Sequence, residues 1–269
     1  MNISRLFSAA LAASLLILSL GGCAGGTDDR TITVGATPSP HAEILRAVQP
    51  LLEEQGYTLV IREFTDYVQP NNALRDKGLD ANFFQHQPYL DDFNVKNKAS
   101  LVSAAAIHFE PLGIYSETLN SLADLPEGAK VSVPNDASNE ARALQLLQKE
   151  GLITLREGAG LSATVADIES NPQRLKIVEM AAEQIPLAIK DVTLAVANGN
   201  YAIKADILDR LLAAEDRDSD GARTYANILA VRSGDQDKAK IQALAAALTS
   251  DDARRFIEDT YNGAVIPVF

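Results

Sequence analysis

Hydrophobic and polar positions change period several times along this chain, and each change marks an element. Residues 6–20 (LFSAALAASLLILSL) are one unbroken uncharged run. From residue 31 the texture differs. TITVGAT (31–37) alternates and is rich in β-branched side chains, which predicts a strand. Within 40–56, Ile44, Leu45, Val48, Leu51 and Leu52 recur at helical spacing up to Gly56, around an internal Pro50. YTLVIREF (57–64) is again a strand, so the chain opens with a strand–helix–strand unit of the kind that builds a parallel sheet. A short helix near 70–77, an extended LDANFF (79–84) and a helix over about 86–98 follow. SLVSAAAIHFEPLGIYS (100–116) is long, mostly apolar and interrupted at Pro111.

A second block starts the same way. AKVSVPND (129–136) predicts a strand ending in a turn, and SNEARALQLLQKEG (138–151) a helix capped by Asp136 or Ser138. LKIVEM (175–180) and DVTLAVANG (191–199) read as strands with a helix between them. ANILAVR (226–232) is a strand after the acidic loop EDRDSDG (215–221), and 235–250 and 251–263 read as helices. A chain that builds one α/β block, then another, then returns predicts two lobes. Residues 31–116 plus about 222–269 would form the first and about 117–221 the second. Ligands favour the cleft between such lobes, at the carboxyl ends of parallel strands.

The uncharged run at the start sets the address. Fifteen residues fall short of the roughly 20 that span a membrane, and fit the apolar region of a signal peptide over 1–22. LGGC (20–23) ends in Cys23, the sole cysteine of the 269 residues. That tetrapeptide resembles a bacterial lipobox, which implies a lipid on Cys23 as the mature N-terminus and a small polar leash over 23–30. With one cysteine there is no disulfide, so the fold depends on its core. Removing 1–22 leaves 23 basic against 36 acidic side chains, a formal charge of −13. Nucleic-acid binders present basic surfaces, so that partner is excluded.

ANFFQHQPYL (81–90) gathers Phe83, Phe84, His86 and Tyr89 without one charge, and three chemistries compete for it. Catalysis lacks its marks: there is no G-x-S-x-G elbow, no H-E-x-x-H helix and no glycine-rich phosphate loop. A metal site would draw on His41, His86 and His108 with an acid such as Asp66, at no paired spacing. The third reading is a pocket for an amphiphilic ligand. Arg142, early in the helix after VPNDASNE, would set a guanidinium fork and a helix N-terminus against a free carboxylate. Ser138, Asn139, Gln145 and Leu146 flank it at helical spacing and none is acidic, so a structural partner would have to come from elsewhere. Asn200 and Asn227, at strand edges, add polar groups.

LDANFFQHQPYLDDF (79–93), VSVPNDASNEARALQLLQKEGLITLREG (131–158), VANGNYA (196–202), YANILAVR (225–232) and NGAVIPVF (262–269) resemble the NLPA family of bacterial substrate-binding lipoproteins. The likeness covers nearly all of the mature chain. It implies an α/β, two-lobed periplasmic-binding-protein fold, type II-like, closing by a hinge on a ligand in the cleft. It also implies methionine as that ligand, L-methionine first, with D-methionine, the sulfoxide or a short methionine peptide suiting much of the same chemistry. The protein would be a monomer without cofactor or catalysis, lipid-anchored to a bacterial membrane facing the periplasm or exterior, delivering to the permease of an ABC transporter. Carried onto this chain, Tyr67 (in FTDYVQPN), Phe84, His86 and Tyr89 would pack on the thioether. Arg142, helped by Asn139, would take the α-carboxylate, while Asn200 and Asn227 would accept hydrogen bonds from the ammonium. Glu140 stands where some relatives carry an apolar residue, and must point away from such a clamp. GARTYAN (221–227) replaces a Ser-Pro-Tyr loop while keeping Tyr225 and Asn227. The alternatives are a zinc- or manganese-binding lipoprotein of an ABC importer and a lipid-anchored hydrolase.

Overall fold

The computed structural model describes residues 29–218 and 220–269; the signal segment, Cys23 and the leash up to residue 28 lie outside the described residues. The first half of the chain runs β1 (Thr31–Ala36), α1 (Glu43–Glu53), β2 (Thr58–Glu63), α2 (Gln69–Arg75), β3 (Ala81–His86), α3 (Gln87–Asn97), β4 (Leu101–Phe109) and β5 (Gly113–Tyr115). Then come β6 (Lys130–Pro134), α4 (Ala137–Lys149), β7 (Thr154–Leu155), β8 (Ile168–Ser170), β9 (Lys176–Met180), β10 (Leu194–Ala197), α5 (Gly199–Lys204) and β11 (Leu211–Ala214). The chain finishes with α6 (Asp220–Thr224), β12 (Asn227–Arg232), α7 (Ala239–Leu248), α8 (Asp251–Tyr261) and β13 (Ile266–Pro267).

Two main sheets form, one per lobe, beside a small antiparallel β7–β8 pair. The first has the order β13–β4–β12–β3–β1–β2, with β1 parallel to β2 and β3, and β12 antiparallel to β3 and β4. The second has the order β11–β5–β10–β6–β9, in which β6 is parallel to β9 and β10. The apolar stretch 100–116 is thus split between the sheets. Pro111, which has no N–H to give a ladder, sits in the crossing. The expected first lobe ran to residue 116, but β5 pairs into the second sheet, so the crossing falls at Glu110–Leu112. The return crossing starts at Glu215, and the two are tied together. Glu215 N donates to Leu112 O (3.0 Å), and Leu112 N donates to Glu215 Oε2 (2.8 Å).

Each lobe has its own core. Ile44, Leu45, Val48 and Leu52 of α1, Leu244 and Leu248 of α7, and Ile257 of α8 pack on Ile32, Val34, Phe83 and Leu229 of the first sheet. Val131, Val133 and Val196 of the second sheet bury Leu144 and Leu147 of α4. The helix expected between β9 and β10 is reduced to two single 3₁₀ turns, Ala182–Gln184 and Pro186–Ala188, because Pro186 cannot continue an α-helical ladder. Among the described residues, no helix is long and apolar enough to cross a membrane.

All six residues of β3 are buried, since the strand lies between β12 and β1 in the middle of its sheet. Opposite it, Ile228 faces Gln85 while the next residue, Leu229, faces Phe83. Phe84 is therefore the extra residue of a bulge, a device that re-aims side chains. Phe83 points into the core. Asn82 and Gln85 turn to Asn71 of α2, which receives hydrogen bonds from both amides at 2.8 and 2.7 Å. Phe84 and His86 are left facing the other lobe.

Candidate functional site

One cavity between the lobes is lined by all eight predicted residues: Tyr67, Phe84, His86, Tyr89, Asn139, Arg142, Asn200 and Asn227. Gln85, Glu110, Asn198 and Gly199 complete the lining. The carboxyl ends of β3, β6 and β10 all open onto it, as expected for an α/β crevice.

Its apolar end is a group of rings. Tyr67 lies 5.7 Å from Phe84 and 5.9 Å from Tyr89, centroid to centroid, and Phe84 is 5.9 Å from Tyr89. Tyr201 backs Tyr67 at 4.9 Å. His86 ends β3 and caps α3: its Nδ1 accepts from Tyr89 N (3.3 Å). Nε2 must then carry the proton, and it donates to Asn139 Oδ1 at 3.2 Å. That bond joins the lobes, as do Tyr67 Oη to Asn200 Oδ1 (2.5 Å) and Tyr201 Oη to Thr65 O (3.1 Å).

The polar end rests on α4. Asp136 is its N-cap, accepting from Asn139 N at 3.0 Å and also from the Asn139 side-chain amide. Arg142, 4 % exposed, finds its structural partner in Glu215, from the acidic loop. Nε donates to Oε1 at 2.7 Å and Nη2 to Oε2 at 2.5 Å, while Nη2 also reaches Glu110 O at 2.9 Å. The guanidinium lies 4.4 Å from the Tyr225 ring. Nη1 makes none of these bonds and is the part of the fork left for a carboxylate. Glu140 does point away: Oε1 accepts from Val165 N (2.9 Å).

Asn200 and Asn227 line the cavity, and each side-chain oxygen already has one partner and keeps a second lone pair. The Asn200 oxygen already accepts from Tyr67, and Asn227 Oδ1 accepts from His41 Nε2 (3.1 Å). Their amide hydrogens are available to a carboxylate as well. The polar lining residues that sequence reasoning missed include Asn198, whose Nδ2 donates to Asn139 Oδ1 (2.8 Å), and Glu110. Glu110 gave no signal beyond its place beside Pro111, and only the crossing brings it to the cavity.

Beneath the cavity, His41, His108 and Glu110 are buried with their ligand atoms within 4.8 Å of one another. This is the part of the metal reading that assembles; His86 bonds Asn139, and Asp66 caps α2 by accepting from Val68 N and Gln69 N at 2.8 Å. The cluster is internally bonded. His108 Nε2 donates to Glu110 Oε1 at 2.7 Å, and His41 Nδ1 meets the Thr37 hydroxyl at 2.7 Å. Burial lowers His41 to about 4 and His86 and His108 to about 3, so all three rings are neutral at pH 7. Burial also raises the Glu110 carboxyl, against the opposing pull of His41, the Asn200 backbone N–H and Arg142.

Comparison with known proteins places this geometry in a family. The model of the NlpA lipoprotein family matches residues 32–269. The methionine-binding lipoprotein MetQ of Bacillus subtilis is 44 % identical over 243 residues, covering 89 % of this chain and 88 % of its own. The membrane lipoprotein TpN32 of Treponema pallidum is 39 % identical over 262 residues, 96 % of each chain. Among solved structures, a nutrient binding protein from Burkholderia cenocepacia bound to methionine superposes with a TM-score of 0.84 at 43 % identity, over 88 % of this chain and 100 % of that one.

Proposed function

The chain belongs to the NlpA lipoprotein family, and on that footing we propose that it captures methionine, L-methionine first, and hands it to the permease of an ABC importer. The observation that carries the reading is one cavity between the lobes with an aromatic end and a guanidinium end. Tyr67, Phe84 and Tyr89 offer a thioether the ring contacts that sulfur favours, each adding modest affinity. Arg142 Nη1 and the Asn200 and Asn227 amides stand where the α-carboxylate would lie. Binding here needs no chemical step. The lobes, exchanging chain at Glu110–Leu112 and again after Ala214, close as rigid bodies on the ligand. Tyr67–Asn200 and His86–Asn139 latch the closed form that docks on the permease. In this reading the protein is a monomer, held at the cell envelope by lipid on Cys23.

Isothermal titration with L-methionine tests this, after unfolding and refolding to strip ligand carried from the cell. Stoichiometric heat is expected at micromolar protein, and its absence would overturn the proposal. Asn227→Ala should weaken binding at least tenfold, or about 1.4 kcal/mol.

A further inference from the structure

Three buried amides behind the aromatic end of the cavity bond to one another in a closed triangle. Asn71 of α2 and Asn82 of β3 are fully buried, and Gln85 of β3 nearly so. Asn71 Nδ2 donates to Gln85 Oε1 at 2.8 Å, and Asn71 Oδ1 accepts from both Asn82 Nδ2 and Gln85 Nε2. Gln85 Nε2 also donates to Asn82 Oδ1 at 2.9 Å, so both of its hydrogens are used. The β12 neighbours of the triangle, Ala230 opposite Asn82 and Ile228 opposite Gln85, belong to the apolar cluster of Leu74, Leu90 and Phe93. In such surroundings an amide without a partner is costly. Apolar side chains would accept several arrangements in that space, whereas three mutually satisfied amides hold one.

The triangle exists only because β3 is bulged. In an unbroken strand, residues three apart such as 82 and 85 point to opposite faces. The extra residue at Phe84 brings Asn82 and Gln85 to one face, and their mutual bond spans the bulge. The dependence also runs the other way. Sliding Phe84 back into the ladder would swing Gln85 to the far face and strand Asn71 Nδ2 and Asn82 Oδ1. Asn71 is itself well fixed, because α2 is held at both ends. Asp66 accepts from Val68 N and Gln69 N, and Arg232 of β12 donates to Leu74 O. Tyr67 lies one residue before Val68, the N-cap of that helix. Tyr67 and Phe84, with ring centroids 5.7 Å apart, thus stand on the two sides of one amide link.

We propose that Asn71 is the positioning residue of the pocket's apolar end: through Gln85 and Asn82 it locks the Phe84 bulge at a fixed distance from Tyr67, and so sets the side-chain length that the pocket accepts. This rests on the methionine reading and adds the device that limits the ligand's length. Of the three amides only Gln85 lines the cavity, so Asn71 acts through its neighbours and not by touching the ligand. A wall locked in this way does not recede for a longer chain, and one extra methylene then costs about 10- to 200-fold in affinity. Without the lock Phe84 gives way, and the longer chain fits.

The test compares L-methionine with L-ethionine, which is one methylene longer at the thioether end, by titration on stripped protein at pH 7. Wild-type protein is expected to prefer methionine at least about tenfold. Asn71→Leu, comparable in size and unable to hydrogen-bond, is expected to cut that preference below about threefold. L-methioninol, which lacks the carboxylate, is the internal control: its affinity relative to methionine should not change with the substitution. A merely structural role would lower the melting temperature and weaken all three ligands alike, and unchanged ratios overturn the proposal. So does a wild-type protein that binds the two thioethers equally. A second measurement needs neither ligand nor variant, and it decides if Asn71→Leu does not fold. In stripped wild-type protein, hydrogen exchange followed by NMR should find the Gln85 side-chain amide protected; exchange as fast as that of an exposed amide means no lock and overturns the proposal. If L-methionine itself fails to bind, the methionine reading falls, a failure distinct from a missing length preference.

Discussion

Glu215→Gln isolates the contact that holds Arg142 in place. In the native protein two parallel N–H···O bonds of 2.7 and 2.5 Å join a guanidinium that is 4 % exposed to a carboxylate that is 15 % exposed. Removing one partner of a buried ion pair costs about 3–5 kcal/mol, because the other charge stays buried and unmatched. Two features reduce the cost here. Glu215 keeps some water contact, and glutamine retains one oxygen for Arg142 Nη2 or Leu112 N, so the expected loss is about 2–3 kcal/mol. For a protein of this size each kcal/mol moves the melting temperature by about 2–4 °C, giving a fall of about 4–12 °C. The assay is thermal unfolding of ligand-free protein, since ligand at a hundredfold excess over Kd would add about 2.7 kcal/mol and mask the effect. Glu127→Gln supplies the control: it and its partner Arg174 are 65 % and 81 % exposed, and such surface pairs are worth about 0–1 kcal/mol. Equal shifts for the two variants would refute the view that Arg142 is fixed by a desolvated pair.

Further outcomes follow from the same geometry. Stability should fall as the pH drops from about 6.5 toward 4, because His41, His86 and His108 titrate at about 4, 3 and 3 when folded but at their ordinary value when unfolded. In that window the unfolded chain binds more protons, and each buried ring contributes up to about 1.4 kcal/mol per pH unit. Glu110 and Asp136, whose carboxyls are raised by burial, act in the opposite sense near the acid end of the window; urea midpoints that rise with acidification above pH 5 would contradict the assignment. Tyr67→Phe removes a bond between the lobes and strands the Asn200 oxygen, so titration should show methionine binding weakened by about five- to thirtyfold. Cys23→Ala should move the protein from the membrane fraction to the soluble fraction with its affinity unchanged; retention on membranes would rule out the lipid anchor.

The sequence showed the cleft's walls more clearly than its charge balance. Hydrophobic patterning located β1, α1, β2, β6, α4 and β12. Motifs of the family located eight residues that the fold brings to one cavity. Three things were out of reach. The bulge at Phe84 depends on the register of β12 against β3, a pairing between distant segments that no local pattern encodes. Glu215 looked like one acid in a solvated loop, and only the tie between the two crossings carries it to Arg142. Glu110 and Asn198 are single residues in short turns, where composition says nothing about what they line. The partners of the Asn200 and Asn227 oxygens were hidden for the same reason, since Tyr67 and His41 reach them from far along the chain.

The placement of β12 also governs the order of assembly. The second sheet uses only residues 113–214, and its β11–β5 pairing joins the last and first strands of that segment. It can close as soon as this stretch is free to fold. The first sheet cannot, because β12 fills the slot between β3 and β4 and arrives only at Asn227. Until then β3 and β4 are two unpaired edges, the kind of surface that recruits stray strands. The lobe that begins first is thus the one completed last, by a long-range closure that topology makes slow. A chain cut short before Asn227 would keep the guanidinium end of the pocket, yet its aromatic end would hang on an unfinished sheet.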